Sequence, residues 1–180
     1  MLRHVLGFIV VGLILIAASP QKPADRAARL LNRHNVERQA LGAVPLRWDD
    51  KLAAHAAAWA QHLAASRTFE HAEQSAEGEN LWAGTTGAYT LEQMVESWIN
   101  EKTLYKNGRF PDVAKSGNWV DVGHYTQLIW GNTARVGCAL AANDEEDFLV
   151  CRYDPPGNWM GQYPLVSKLA RPRDILKRAK

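Results

Sequence analysis

Only two cysteines, Cys138 and Cys151, occur in 180 residues. That excludes the small secreted scaffolds in which several bridges replace a hydrophobic core. A single domain of this length buries enough surface to stand without them. Long apolar runs are missing too. The longest, Val5 to Ala18, has fourteen residues, and at about 1.5 Å of rise each it falls short of a roughly 30 Å hydrocarbon core. The segment has the layout of an export signal: Arg3 and His4 precede the run, Ala17, Ala18 and Ser19 follow it, and Pro20 to Lys22 turns polar. Residues 1–18 are read as a cleaved signal, with a retained anchor as the competing reading, and residues 19–29 as a linker running into the first helix.

Neither sign of charge dominates, with 21 Lys and Arg against 19 Asp and Glu. From Ser167 onward, however, six basic residues face only Asp174, a net +5 within a chain of net +2, so the preceding residues sum to −3. An acidic body with a basic tail at 167–180 argues against a nucleic-acid-binding domain, which carries its charge on the fold. Such a tail can make a weak contact with an anionic surface, or simply be solvated. Internal repeats, the HExxH helix motif and the G-x-S-x-G elbow are all absent; His71 to Ser75 reads HAEQS.

What is present begins with three amphipathic helices. Asp25 is placed to cap the first, whose stripe is Ala27, Leu30, Leu31, His34 and Leu41, with Gly42 as its stop. Asp49 is placed to cap the second, carrying Leu52, Ala56, Trp59 and Leu63. Thr90 and Gln93 form a capping-box pattern ahead of Leu91, Met94, Val95, Trp98 and Ile99. Arg135 to Ala142 and Phe148 to Tyr153 read as strands around a polar turn. A hairpin centred between Asp144 and Glu145 sets Cys138 opposite Cys151, at a separation of about 4.5–5.5 Å that a disulfide spans. Two buried free thiols are the alternative. Helices followed by antiparallel strands indicate an α+β domain.

Of six histidines, His4 belongs to the signal and His34 to an apolar stripe, where it reads as a hydrogen-bonded core residue. His55 and His62 share a helix face with no carboxylate three or four residues away, a poor metal pair. His71 stands in a loop with Glu73, Glu77 and Glu79, and His124 opens the polar-aromatic run GHYTQLIW.

That run, from Gly123 to Trp130, and YDPPGNW, from Tyr153 to Trp159, resemble the two signatures of the CAP superfamily: cysteine-rich secretory proteins, insect antigen-5 venom proteins, plant pathogenesis-related proteins and bacterial relatives. RHNVER from Arg33, VPLRWDDKLAAHAAAWA from Val44 and GENL from Gly78 are similar to its lead-in. The likeness runs from about Leu30 to Tyr163, within a domain set at 30–166. It implies a three-layer α-β-α sandwich with a small antiparallel sheet and a central cleft bearing two histidines and two acidic residues. By motif these are His71, Glu79, His124 and Glu101, the last three residues after Trp98. A helical wheel agrees independently, since Glu101 falls at the border of the apolar stripe while Glu96 falls on the solvent side.

Two imidazoles and two carboxylates suit zinc or another divalent ion; the competing reading is a hydrogen-bonded polar cluster with no metal. Three functions follow, in this order. The first is a secreted module binding a lipid, sterol or other cell-envelope component, as the resemblance implies. The second is an extracellular interaction scaffold. The third is a hydrolase using the carboxylates on a glycan or a metal-bound water on a peptide. With two cysteines the chain lacks the extra disulfides of plant and animal relatives, and channel-blocking tied to cysteine-rich extensions does not transfer. The loop Lys106 to Asp121, with Phe110, Pro111 and Trp119, is expected either to wall the cleft or to pack as core.

Overall fold

The computed structural model describes residues 23–73 and 75–165; the export segment and the basic tail lie outside the described residues. Helix α1 spans Pro23–Ala40. It opens on a proline, which has no N–H to leave unpaired in a first turn. Asp25 therefore sits inside that turn, near the positive end of the dipole, rather than at the cap. Gly42, at φ +69°, ends the helix in the left-handed region. Ala43 N then donates to Arg38 O at 2.9 Å. Leu41 lies past the last helical residue and is 39 % exposed, so it leaves the stripe.

Helix α2, Asp50–Ser66, is capped by Asp49, whose side chain accepts from Lys51 N and Leu52 N. Helix α3, Leu91–Asn100, carries the full capping box of Thr90 and Gln93. A short helix α4 covers Gly123–Ile129. The strands are β1 (Arg47–Trp48), β2 (Gly78–Thr85), β3 (Arg135–Ala142) and β4 (Glu146–Asp154), in sheet order β1-β3-β4-β2. The sheet is mixed rather than purely antiparallel, because β1 joins β3 in parallel.

Strand β4 is central, paired antiparallel on both sides and buried from Asp147 to Tyr153. The hairpin register is the expected one. Cys138 faces Cys151, with Cα atoms 4.1 Å apart, and the disulfide is formed. By constraining the unfolded chain such a bridge stabilises the fold by about 3 kcal/mol.

Alternation along the strands sends side chains to two cores. On one face Ala56, Ala60 and Leu63 of α2 pack on Leu81, Phe148 and Val150. On the other, Leu30, Met94, Val95, Trp98, Ile99, Leu128 and Ile129 from α1, α3 and α4 pack on Val136, Leu149 and Tyr153. The result is an α-β-α sandwich. Ion pairs Arg29–Glu92 and Arg33–Glu96 tie α1 to α3 along its outer edge. Glu96 thus faces outward, as expected, but with a partner. A third small core, built on Phe110, Val113, Val122 and Trp130, anchors the long loop between α3 and α4.

Candidate functional site

His71 lies in the loop after α2, and Glu79 is the second residue of β2. Glu101 begins the 3-10 turn that continues α3, and its backbone remains helical, which carries its side chain toward α4. His124 is the second residue of α4. These four form two dyads of the same design. His71 Nδ1 meets Glu79 Oε1 at 2.6 Å, and His124 Nδ1 meets Glu101 Oε1 at 2.6 Å. A carboxylate acceptor puts the proton on Nδ1 in each ring, leaving Nε2 as the lone-pair nitrogen.

Each glutamate is itself fixed. Glu101 Oε2 accepts from Tyr125 N at 2.9 Å. Glu79 Oε1 also accepts from Ala72 N at 3.1 Å, and its Oε2 lies 2.7 Å from Arg152 Nη2. Arg152 is held in turn by Ser75 Oγ at 2.7 Å. Each carboxylate thus orients an imidazole, as carboxylates beside histidine metal ligands commonly do. Trp98 stacks on His124 with ring planes 18° apart, and its own indole donates to Leu81 O.

The two signature motifs clasp each other beside this site. Gln127 Oε1 accepts from Gly157 N at 2.8 Å. Thr126 Oγ1 and Gly123 O bond the Asn158 side chain at 2.7 and 2.9 Å. Asn158 adopts φ +59°, a conformation asparagine tolerates better than most residues. A Cβ at Gly78 would meet Gln127 Oε1 at 2.2 Å, so any larger residue there would push the Gln127 amide out of its place. Asn80, the third residue of GENL, donates to His124 O and to Tyr153 Oη. Tyr153 Oη reaches His34 Nε2 at 2.9 Å, and His34 Nδ1 donates to Leu30 O at 2.8 Å. Burial pushes the His34 pKa down to about 4, so the ring is neutral.

His71 and His124 line one cavity of about 490 Å³. Its lip includes Trp119 and Val120, which are exposed, while Phe110 is only 2 % exposed. The loop thus divides between the two expectations: Phe110 packs as core and Trp119 walls the cleft. His55 stands apart, bonded to Glu77 at 2.7 Å, and His62 stacks on Trp59. Among the described residues, His34, Cys138 and Cys151 form the one group that brings three metal-capable atoms within 4.8 Å of one another. Its sulfurs are joined in the disulfide.

Sequence reasoning missed Arg38, which is fully buried in α1 and bonds the carbonyls of Val44, Leu128, Trp130 and Thr133 at 2.9–3.0 Å. No local signal marks it, because three of its four partners, Leu128, Trp130 and Thr133, are distant in sequence.

An α-β-α sandwich with two imidazole–carboxylate dyads at its cleft defines the class of the domain. The family profile of the cysteine-rich secretory proteins (CAP) matches residues 31–153, and the chain belongs to that family. It is 36 % identical over 153 residues to pathogenesis-related protein 1A of Nicotiana tabacum, covering 84 % of this chain and 88 % of that protein. Among solved structures it is similar to BmVAL-1, with a TM-score of 0.67, 23 % identity and coverage of 80 % of this chain and 82 % of that one. It is also similar to NaASP2, solved with Zn2+, with a TM-score of 0.66, 22 % identity and coverage of 78 % and 85 %. At these identities the structures speak for the fold.

Proposed function

We propose that the protein is an exported binding module whose cleft captures a small amphipathic ligand, a lipid or sterol, with a divalent ion such as zinc held between His71 and His124. One observation carries the reading. Each cleft imidazole spends Nδ1 on a half-buried carboxylate and, among the described residues, leaves Nε2 without a protein partner. Two such nitrogens fit zinc, a borderline-soft ion that takes neutral imidazole. When bound, the ion supplies a positive centre for an anionic or carbonyl head group.

The chain's own residues do the rest. Glu79 and Glu101 hold the rings, Arg152 holds Glu79, and Trp119 with Val120 offers apolar wall to the rest of the ligand. The NaASP2 structure with Zn2+ supports the metal part by analogy of fold. The disulfide and the family's secretory members support export. Both carboxylates are engaged with imidazole, amide or guanidinium, which favours binding over acid–base work on a glycan.

The test is calorimetric titration of metal-stripped protein with zinc. His71→Ala and His124→Ala each abolish tight binding, while His55→Ala and Glu96→Ala leave it unchanged. A double variant His71→Ala with His124→Ala that binds zinc as tightly as the native protein overturns the reading.

A further inference from the structure

Behind the cleft, on the α1 face of the sheet, His34, Cys138 and Cys151 crowd together. We propose that reduction of the Cys138–Cys151 disulfide turns this cluster into a second metal site, in which two thiolates and the His34 imidazole bind zinc.

The ligand atoms already lie within 4.8 Å of one another, so small side-chain rotations bring them to tetrahedral distances of about 2.3 Å for sulfur and about 2.0–2.1 Å for nitrogen. The scaffold keeps them there. Cys138 and Cys151 are cross-strand neighbours on β3 and β4, and β4 is paired along its other edge by β2. Breaking the sulfur bond leaves both ladders in place.

The histidine tautomer is fixed correctly. Leu30 O accepts from Nδ1, so Nε2 carries the lone pair, now engaged by the Tyr153 hydroxyl at 2.9 Å. When Nε2 turns to a metal, Asn80 Nδ2 still donates to the Tyr153 oxygen, and the Tyr153 O–H gives up His34 as its acceptor. Burial keeps the ring neutral, as ligation requires.

Charge selects the ion. Two thiolates cancel the +2 of zinc, and a neutral complex is the one a buried site tolerates. A monovalent ion would leave a net −1 in the core. Access exists as well. Cys138 forms part of the wall of a groove of about 430 Å³ between the start of α1, β1 and α2. Arg26 and Asp50 stand at that groove, which gives water a route to the fourth coordination position.

The chemistry balances with a dithiol as reductant, free or in the active site of a thioredoxin-class oxidoreductase. Its thiolate attacks the Cys138 sulfur from the groove, forming a mixed disulfide and releasing Cys151 as thiolate. The second thiol of the reductant then closes its own disulfide and releases Cys138. Two electrons pass to the protein and the reductant is oxidised. Zinc binding afterwards releases any protons the two sulfurs have taken up.

Cobalt(II) serves as the probe, because thiolate ligation gives an intense sulfur-to-cobalt absorption in the near ultraviolet. The full chain is reduced with dithiothreitol, freed of reductant under argon and titrated with cobalt, then back-titrated with zinc. Reduced protein gains the band at one equivalent and loses it to zinc, and the metal raises its thermal midpoint. Oxidised protein shows neither effect. Cys138→Ser and His34→Gln lose the tight-binding band, while His71→Ala with His124→Ala retains it, which separates this site from the cleft. A reduced, folded chain without the band overturns the proposal, as does a band that survives in Cys138→Ser with Cys151→Ser. So does a reduced chain that unfolds and is not refolded by the metal.

Discussion

His34 carries an imidazole to a position with no solvent exposure, between Leu30 O and the Tyr153 hydroxyl, with Trp98 packed edge-on. Burial, the largest cause, holds its pKa near 4, against 6.5 for the free side chain, with Arg38 and Arg33 pushing the same way. Between those values the unfolded chain binds more protons than the folded one, so stability falls as pH drops from about 6.5 to about 4. The loss amounts to about 3 kcal/mol at its limit. Above 6.5 both states are neutral at this residue and nothing changes; below 4 the loss is complete. Urea midpoints of native protein and His34→Gln, measured from pH 7.5 to 4.5, are expected to show a shallower slope for the variant. Parallel slopes would refute the assignment. At this scale much was legible: a histidine on an apolar stripe marks a core residue, and the border position of Glu101 leaves its carboxylate within reach of His124. Arg38 and the Arg152–Glu79 pair were not, since each depends on partners brought together only by the fold.

Elements whose ends are written in local chemistry were the easiest to read. The Asp49 cap, the Thr90 and Gln93 box, and the β3–β4 register follow from residues a few positions apart. Strand β1, two residues long, and strand β2, which ends in Ala83, Gly84 and Thr85, carry little periodicity, and their pairing comes from the sheet. Helix α2 comes close to the sheet at Gly137 on β3. A Cβ there would meet Ala53 N at 2.2 Å and Asp49 O at 2.5 Å. Both atoms belong to the backbone at the start of α2, so no side chain can rotate away. Gly137→Ala is expected to lower stability by about 1–3 kcal/mol or more, the cost of overpacking, as read by chemical denaturation. An unchanged midpoint would show that α2 can slide on the sheet.

For the whole molecule, the α+β class followed from element order, and the sandwich and the His–Glu pairs from the resemblance carried by GHYTQLIW, YDPPGNW and GENL. The clasp of Gln127 on Gly157 and of Thr126 on Asn158 gives the first two motifs a physical reason to occur together. Export belongs to this scale as well. Native material is expected to begin between about Ser19 and Ala24 on N-terminal sequencing, and intact Met1 in membrane pellets would count against it. The buried guanidinium of Arg38 has a consequence for folding. Its four carbonyl partners come from the turn after α1, the end of α4 and the loop before β3, and no carboxylate is among its bonded partners. Until all of those segments have docked, the cation stands in an apolar interior with donors unmet, which costs several kcal/mol. Half-assembled forms are thereby penalised, and the domain should melt as one cooperative unit rather than piece by piece.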